Sequence, residues 1–282
     1  MNDRSSETAL LEAVAARAVR ASGDYLADAF RDCTIEAEYG TDDVKSAADR
    51  EAEARALDVI RDAYPAHAIH GEESGRDGEH RYEWIVDPLD GTNNFAAGVP
   101  AFATAACVLC DGRPLVSAIY EPLPDSLYLA RRDGGATVGG DALSAESDLS
   151  LPQSTVSFVV GLPAVRDDDQ RAAAARVEAA VASRCKRVLN TWSPCVDWGL
   201  LARGDIEGLV AYRPDVYEQY AGGLLAAESG VESRVIALDG DGSAPSETEH
   251  GAVGTGVDSL YVAAADRAKL DELADAAAAA LE

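Results

Sequence analysis

The run Trp84-Ile85-Val86-Asp87-Pro88-Leu89-Asp90-Gly91-Thr92 constrains this chain more than any other stretch. Its apolar opening reads as a buried strand, yet it passes directly into two aspartates three residues apart. Like charges at close range repel, and a buried charge needs a partner. Pro88 fixes the backbone between the acids, so Asp87, the Leu89 carbonyl and Asp90 can all turn oxygen toward one space. A core strand must therefore end where something positive sits. Clustered hard oxygen donors suit Mg2+ or Mn2+ better than zinc. Asn93-Asn94-Phe95 can open a helical turn, and backbone N–H groups at such a start cradle a phosphate. Metal-binding carboxylates beside an anion nest make a phosphoryl-transfer site. A turn capped by Asp accounts for one of the acids but not for the whole string.

The surrounding pattern divides in two. Residues 5–32 carry Leu10, Val14, Ala18, Ala21 and Tyr25 at helical spacing, and residues 47–63 repeat the pattern until Pro65 stops it. Two short strands follow, the second being the opening run. Residues 102–140 then read as an antiparallel meander broken at Asp111-Gly112, Pro122 and Gly134-Gly135. The second half alternates: strands near 154–162, 186–190, 206–212, 233–238 and 259–265, with helices near 167–183, 193–203, 216–229 and 266–281. Such alternation predicts layered α/β structure. The polar segment 144–153 predicts a boundary between an N-terminal α+β domain, 1–148, and a C-terminal α/β domain, 149–282.

Charge narrows the function classes. Asp and Glu number 50 against 24 Lys and Arg, a formal net charge of −26, while the apolar fraction is an ordinary 47 %. The acids are scattered rather than gathered in a tail. A surface adapted to molar salt fits this best, because salt screens the self-repulsion, and the expected source is a halophilic archaeon. The same charge argues against nucleic acid bound through its phosphates. No apolar run is long enough to span a membrane, and without a basic stretch and apolar core near residue 1 no signal peptide is expected. Five cysteines, Cys33, Cys107, Cys110, Cys185 and Cys195, make no even framework, which predicts free thiols in a reducing cytoplasm. Cys107-x-x-Cys110 lies in an alternating apolar segment and reads as strand. His67, His70, His80 and His250 have no metal-like spacing.

The string "WIVDPLDGTNNF" resembles the D-P-[IL]-D-G-T-x-N-F signature of the inositol monophosphatase family, whose superfamily includes fructose-1,6-bisphosphatases and phosphatases of 3′-phosphoadenosine 5′-phosphate. The likeness runs along the chain. "HGEES" is similar to the family's G-E-E, which implies Glu72 as a metal ligand. "DDVKSAAD" is similar to D-x-V-T-x-x-D, which implies that Asp49 bonds Thr92. "GGATVGGDALSAES" resembles the hairpin closing the first domain, with Gly139 in place of Asn. "RVLNTWSPCVDWGLLARGDIEGLV" and "YEQYAGGLLAAESG" keep the later frame but change positions: Asn190 for Gly, Trp192-Ser193 for Ala-Ala, Tyr217 for Trp, and Glu218 for the third metal-bridging aspartate. Glutamate keeps the charge and adds a methylene; Asp215 is the alternative ligand if the alignment slips.

The resemblance implies an α-β-α-β-α sandwich, with an antiparallel sheet in the first half and a mixed or parallel sheet in the second. It also implies a phosphoric monoester hydrolase using two or three Mg2+ ions (or Mn2+) without a covalent intermediate. Mapped onto this chain, Glu72, Asp87, the Leu89 carbonyl, Asp90 and Glu218 hold metal, and the amides of Gly91 and Thr92 hold phosphate. Glu72, Thr92 and Asp49 serve catalysis by positioning a metal-bound water. Asp90, Asn190, Thr191, Arg187 and Arg213 meet the substrate. Inositol-specific members carry a ring-binding acid at the position of Ala211. The expected substrate is therefore a small phosphate monoester, inositol monophosphate or a related sugar phosphate. Fructose 1,6-bisphosphate is the second choice, its far phosphate meeting Arg213 or Arg187. A weakly active metal- or ligand-binding relative is the reading from another class. The family's usual assembly implies a homodimer.

Overall fold

Leu11, Val14, Ala15, Ala18 and Val19 recur at the three- and four-residue steps of one helix face, and all are buried. Val14 and Ala18 of the predicted stripe belong to it, but Ala21 and Tyr25 are only half-buried and Leu10 is 60 % exposed. The computed structural model describes residues 2–32, 37–39, 44–238, 248–249 and 258–282; the side chains of 2–5, 37–39, 44–46 and 248–249 fall outside that description. Cys33, the Lys45 side chain and His250 therefore lie outside the described residues.

The first half runs α1 (Asn2–Arg31), β1 (Ala37–Tyr39), β2 (Val44–Ser46), α2 (Ala47–Ala63), β3 (Ala68–Gly71), β4 (Gly75–Asp77), β5 (Tyr82–Asp90), α3 (Thr92–Ala97), β6 (Ala103–Cys110), β7 (Arg113–Glu121), β8 (Ser126–Arg131), β9 (Gly135–Val138) and β10 (Asp141–Ala142). The second half runs β11 (Thr155–Val160), α4 (Leu162–Val165), α5 (Asp168–Ala182), β12 (Arg187–Leu189), α6 (Pro194–Ala202), β13 (Gly208–Tyr212), α7 (Val216–Glu228), β14 (Glu232–Ala237), β15 (Thr248–Glu249), β16 (Ser259–Ala264) and α8 (Arg267–Ala279).

Eight strands form the first sheet, in the order β10-β9-β8-β7-β6-β5-β3-β4. It is antiparallel apart from β3 and β5, which run parallel. The β3–β4 hairpin reverses the chain once, so the next strand regains the direction of β3. The second sheet, β12-β11-β13-β16-β14-β15, is mixed: β11 pairs in parallel with β12 and β13, while β16 is antiparallel to β13 and β14.

Alternation along each strand sends side chains to two different cores. Trp84, Val86, Ala106 and Val108 pack against α1 and α2. Ile85, Ala105 and Cys107 face the other way, onto α6 and α7, whose far side meets Leu209, Tyr261 and Ala263 of the second sheet. The outer face of that sheet, with Phe158 and Val210, packs on α5 and α8. The result is the five-layer α-β-α-β-α sandwich. Cys107 and Cys110 face opposite sides of β6, as the strand reading requires, and cannot share one ion. Gly222 fixes the middle layer: a Cβ there would lie 2.1 Å from the Trp198 ring, so only glycine lets α6 and α7 approach this closely.

Candidate active site

A period of two should turn Asp87 and Asp90, three apart on β5, to opposite faces. A β-bulge removes the conflict. Asp87 pairs with Ala105 and Asp90 with Ala103, so β5 spends one residue more than β6 over this interval. The Leu89 N–H donates to Asp87 Oδ1 at 3.1 Å and closes the bend. One oxygen of each acid and the Cys195 sulfur come within 4.8 Å of one another. Gly91 then takes a left-handed φ of 90°, and a Cβ there would sit 3.0 Å from the Ala101 carbonyl and the Ser193 side chain. The Phe95 N–H donates to the Gly91 carbonyl at 3.0 Å and starts α3.

The other residues arrive for separate reasons. Parallel pairing sets Gly71 opposite Val86, and the Glu72 N–H donates to the Val86 carbonyl at 3.2 Å, so Glu72 follows β3 beside Asp87. Thr92 Oγ1 lies 3.0 Å from Asp49 Oδ1 on α2 and 3.0 Å from the Leu89 carbonyl. Glu218 occupies the first turn of α7 behind its N-cap residue Asp215. Ser193 Oγ and the Cys195 N–H donate to Asp90 Oδ2 at 2.5 and 2.8 Å.

These groups surround a cavity of about 440 Å³. Glu72, Asp87, Leu89, Asp90, Gly91, Thr92, Asn190 and Glu218 line it; Asp49 lies behind Thr92. Thr191, Arg187 and Arg213 do not line it. Arg187 sits on the outer strand β12 and donates to Thr155 Oγ1, and Arg213 pairs with Asp258. The arginines that do line the cavity are Arg166, just after the short helix α4, and Arg171, in the first turn of α5. Sequence reasoning also missed Ser193. The Ser-Pro pair at 193–194, a helix N-cap followed by proline at the first helical position, is the signal that could have found it.

Electrostatics describe a site short of positive charge. Burial, then the charges of Glu72, Asp90 and Glu218, pushes Asp87 well above the usual carboxylate range. Burial and then Asp215 do the same to Glu218. Asp90 is pushed up to about 7 by burial, against the pull of Ser193 and Cys195. Glu72 is pushed up to about 8 by burial and then by Asp49; its surface is open to the cavity, yet protein crowds its carboxyl. Four carboxylates that can lose their protons only at such a cost fit a bound divalent cation, and their all-oxygen chemistry fits a hard one.

The sequence profile of the inositol monophosphatase family matches residues 7–280. The chain belongs to the inositol monophosphatase family. The Nus factor SuhB of Escherichia coli strain K12 is 30 % identical over 223 residues, covering 77 % of this chain and 82 % of that protein. The inositol monophosphatase of Anabaena (Nostoc) sp. PCC 7120 superposes with a TM-score of 0.75 at 26 % identity, covering 95 % of this chain and 94 % of that one. The suhB protein of Bartonella henselae shares the fold, with a TM-score of 0.80 at 21 % identity over 97 % of this chain and 98 % of its own. Within the inositol monophosphatase family frame, the described helices include none long and apolar enough to cross a membrane.

Proposed function

We propose that this chain is a Mg2+-dependent phosphatase of a small phosphate monoester, inositol monophosphate or a related sugar phosphate. The observation that carries the reading is the meeting of Glu72, Asp87, Asp90 and Glu218, from three separate segments, with their proton affinities raised together. Glu72, Asp87, the Leu89 carbonyl, Asp90 and Glu218 would hold the metal. Bound there, Mg2+ supplies Lewis acidity, lowering the pKa of a water and neutralising a leaving alkoxide. Glu72 and the Thr92 hydroxyl position the attacking water, with Asp49 orienting that hydroxyl. The amides of Gly91 and Thr92, where α3 begins, hold the phosphate oxygens.

Arg166 and Arg171 in the same cavity favour fructose 1,6-bisphosphate as the second reading, since a far phosphate needs a cation. Phosphate release from inositol 1-phosphate, fructose 1,6-bisphosphate and 3′-phosphoadenosine 5′-phosphate, at molar KCl with Mg2+ or EDTA, tests both. Turnover that EDTA abolishes supports the phosphatase and selects its substrate. Silence on all three sinks it and leaves a metal- or ligand-binding role.

A further inference from the structure

Glu53 departs from the pattern of its helix. The buried face of α2 is otherwise built from Ala48, Ala52, Ala56, Leu57 and Ile60 together with Asp49, yet Glu53 is only 3 % exposed. A buried charge needs a donor, and here the Glu73 N–H donates to Glu53 Oε2 at 2.9 Å. Glu73 belongs to the three-residue turn, 72–74, that joins β3 to β4. Glu72 stands in the same turn, one residue earlier, and its own N–H goes to the Val86 carbonyl of β5 at 3.2 Å. Two consecutive amides are thus tied to two different elements, and the backbone is held on both sides of the Glu72 Cα. Gly71 makes the approach possible: a Cβ there would lie 2.5 Å from Glu53 Oε2 and 2.7 Å from the Ser74 hydroxyl. The Glu53 carboxyl fills the space that a side chain at 71 would need.

Asp49 lies one turn earlier on the same face of α2, is equally buried, and accepts the Thr92 hydroxyl. Helix α2 therefore sends one acid to each group that would position the attacking water: Asp49 to Thr92 directly, and Glu53 to Glu72 through its turn. Another brace, the Tyr217 hydroxyl of α7 at 3.3 Å from His70 Nε2, meets strand β3 rather than the turn.

We propose that Glu53 is a positioning residue, fixing the 72–74 turn so that the Glu72 carboxylate faces Asp87. The inference rests on the phosphatase reading and adds to it a residue that touches neither metal nor substrate. A ligand carried on a turn is otherwise free to move, and partners that orient metal ligands are typically worth about 10- to 100-fold.

The test compares wild type with Glu53→Leu, which removes the acceptor at similar volume, and Glu53→Gln, which keeps a neutral acceptor. The readouts are Mg2+ affinity by calorimetry, turnover of inositol 1-phosphate or fructose 1,6-bisphosphate at molar KCl, and amide hydrogen exchange. In Glu53→Leu, Mg2+ affinity and kcat/KM should each fall by about 10- to 100-fold. Exchange at 72–74 should speed roughly tenfold, with the rest of α2 and β3 protected as in wild type. Glu53→Gln should recover affinity and turnover to within a few-fold of wild type. Unchanged Mg2+ affinity or unchanged exchange at the turn in Glu53→Leu overturns the assignment, as does a Glu53→Gln variant equally impaired. Protection lost evenly along α2 means a structural role only, and overturns it too. If Glu53→Leu fails to fold, Glu53→Gln decides: its weaker bond must speed exchange at the turn alone, and wild-type rates there overturn the assignment. If wild type neither binds Mg2+ nor hydrolyses either ester, the phosphatase reading fails on its own, and the exchange result still decides whether Glu53 sets the turn.

Discussion

The two ends of the cavity handle charge in opposite ways. At the strand end, Asp87, Asp90 and Glu218 are buried near one another without a basic side chain paired to them among the described residues, so burial and mutual repulsion raise their proton affinities. At the α4–α5 end, the charged groups are exposed and the Arg171 guanidinium already pairs with Asp168 at 2.6 Å. Exposed pairs of this kind contribute about 0–1 kcal/mol. The difference teaches where chemistry and where selectivity belong. The buried end stores repulsion that a cation held there would relieve, so a change there should cost the proposed function. The exposed end is held loosely by solvent-screened contacts and can change at small cost.

Breaking the strand end should have the largest effect. On the proposed reading, Asp87→Asn or Asp90→Asn removes a charge that would hold the metal, worth several kcal/mol, so kcat/KM in Mg2+ should drop by roughly a thousandfold or more. A loss no larger than that of an arginine variant at the other end would erase the contrast.

Stability against pH sharpens the contrast next. Glu72 and Asp90 have folded pKa values near 8 and 7, above the unfolded range of about 4. The native state then binds protons more tightly than the unfolded chain does. In EDTA, stability should fall as pH rises from about 4 to about 8 and level off beyond. Mg2+ binds the deprotonated carboxylates, so its stabilisation should grow over the same interval, reaching about 2.7 kcal/mol at a hundredfold excess over Kd. A melting-temperature shift equal at pH 5 and pH 8 would contradict the electrostatic picture.

Thr92→Val probes the boundary between the two regimes. It deletes the hydroxyl between Asp49 and Leu89 while keeping the shape, and the expected loss is about 10- to 100-fold in activity, the size seen when outer partners of metal ligands are removed. Arg166→Ala with Arg171→Ala should be the mildest change: a few-fold rise in KM confined to a bisphosphate, consistent with about 1 kcal/mol from exposed charges. A larger effect on a monophosphate would move those arginines into the chemical end.

The elements were legible in the sequence because their cause is local. Apolar periodicity marked the helices and strands, and the acid pair with its proline marked the end of β5. What escaped depended on pairing between distant segments. The bulge at Asp87–Asp90 exists only against β6, and neither the spacing of the two acids nor Pro88 states it. Following the family frame put Thr191 near the substrate, but the hydroxyl that reaches Asp90 is Ser193, two residues on, because α6 starts at Pro194. Arg187 and Arg213 were chosen for charge alone; neither lines the cavity, and they turn instead to Thr155 and Asp258.

The middle layer has a consequence in time. The α6–α7 pair has a sheet on each side and shares one core with both, locked by Gly222 against Trp198. Synthesis delivers Glu72 through Thr92 early and Ser193 through Glu218 more than a hundred residues later. A nascent chain that has formed only its first sheet owns two aspartates and no Glu218 to complete them. On the proposed reading, then, a chain that has formed only its first sheet would hold an incomplete site, and activity would wait on the packing of α6 and α7.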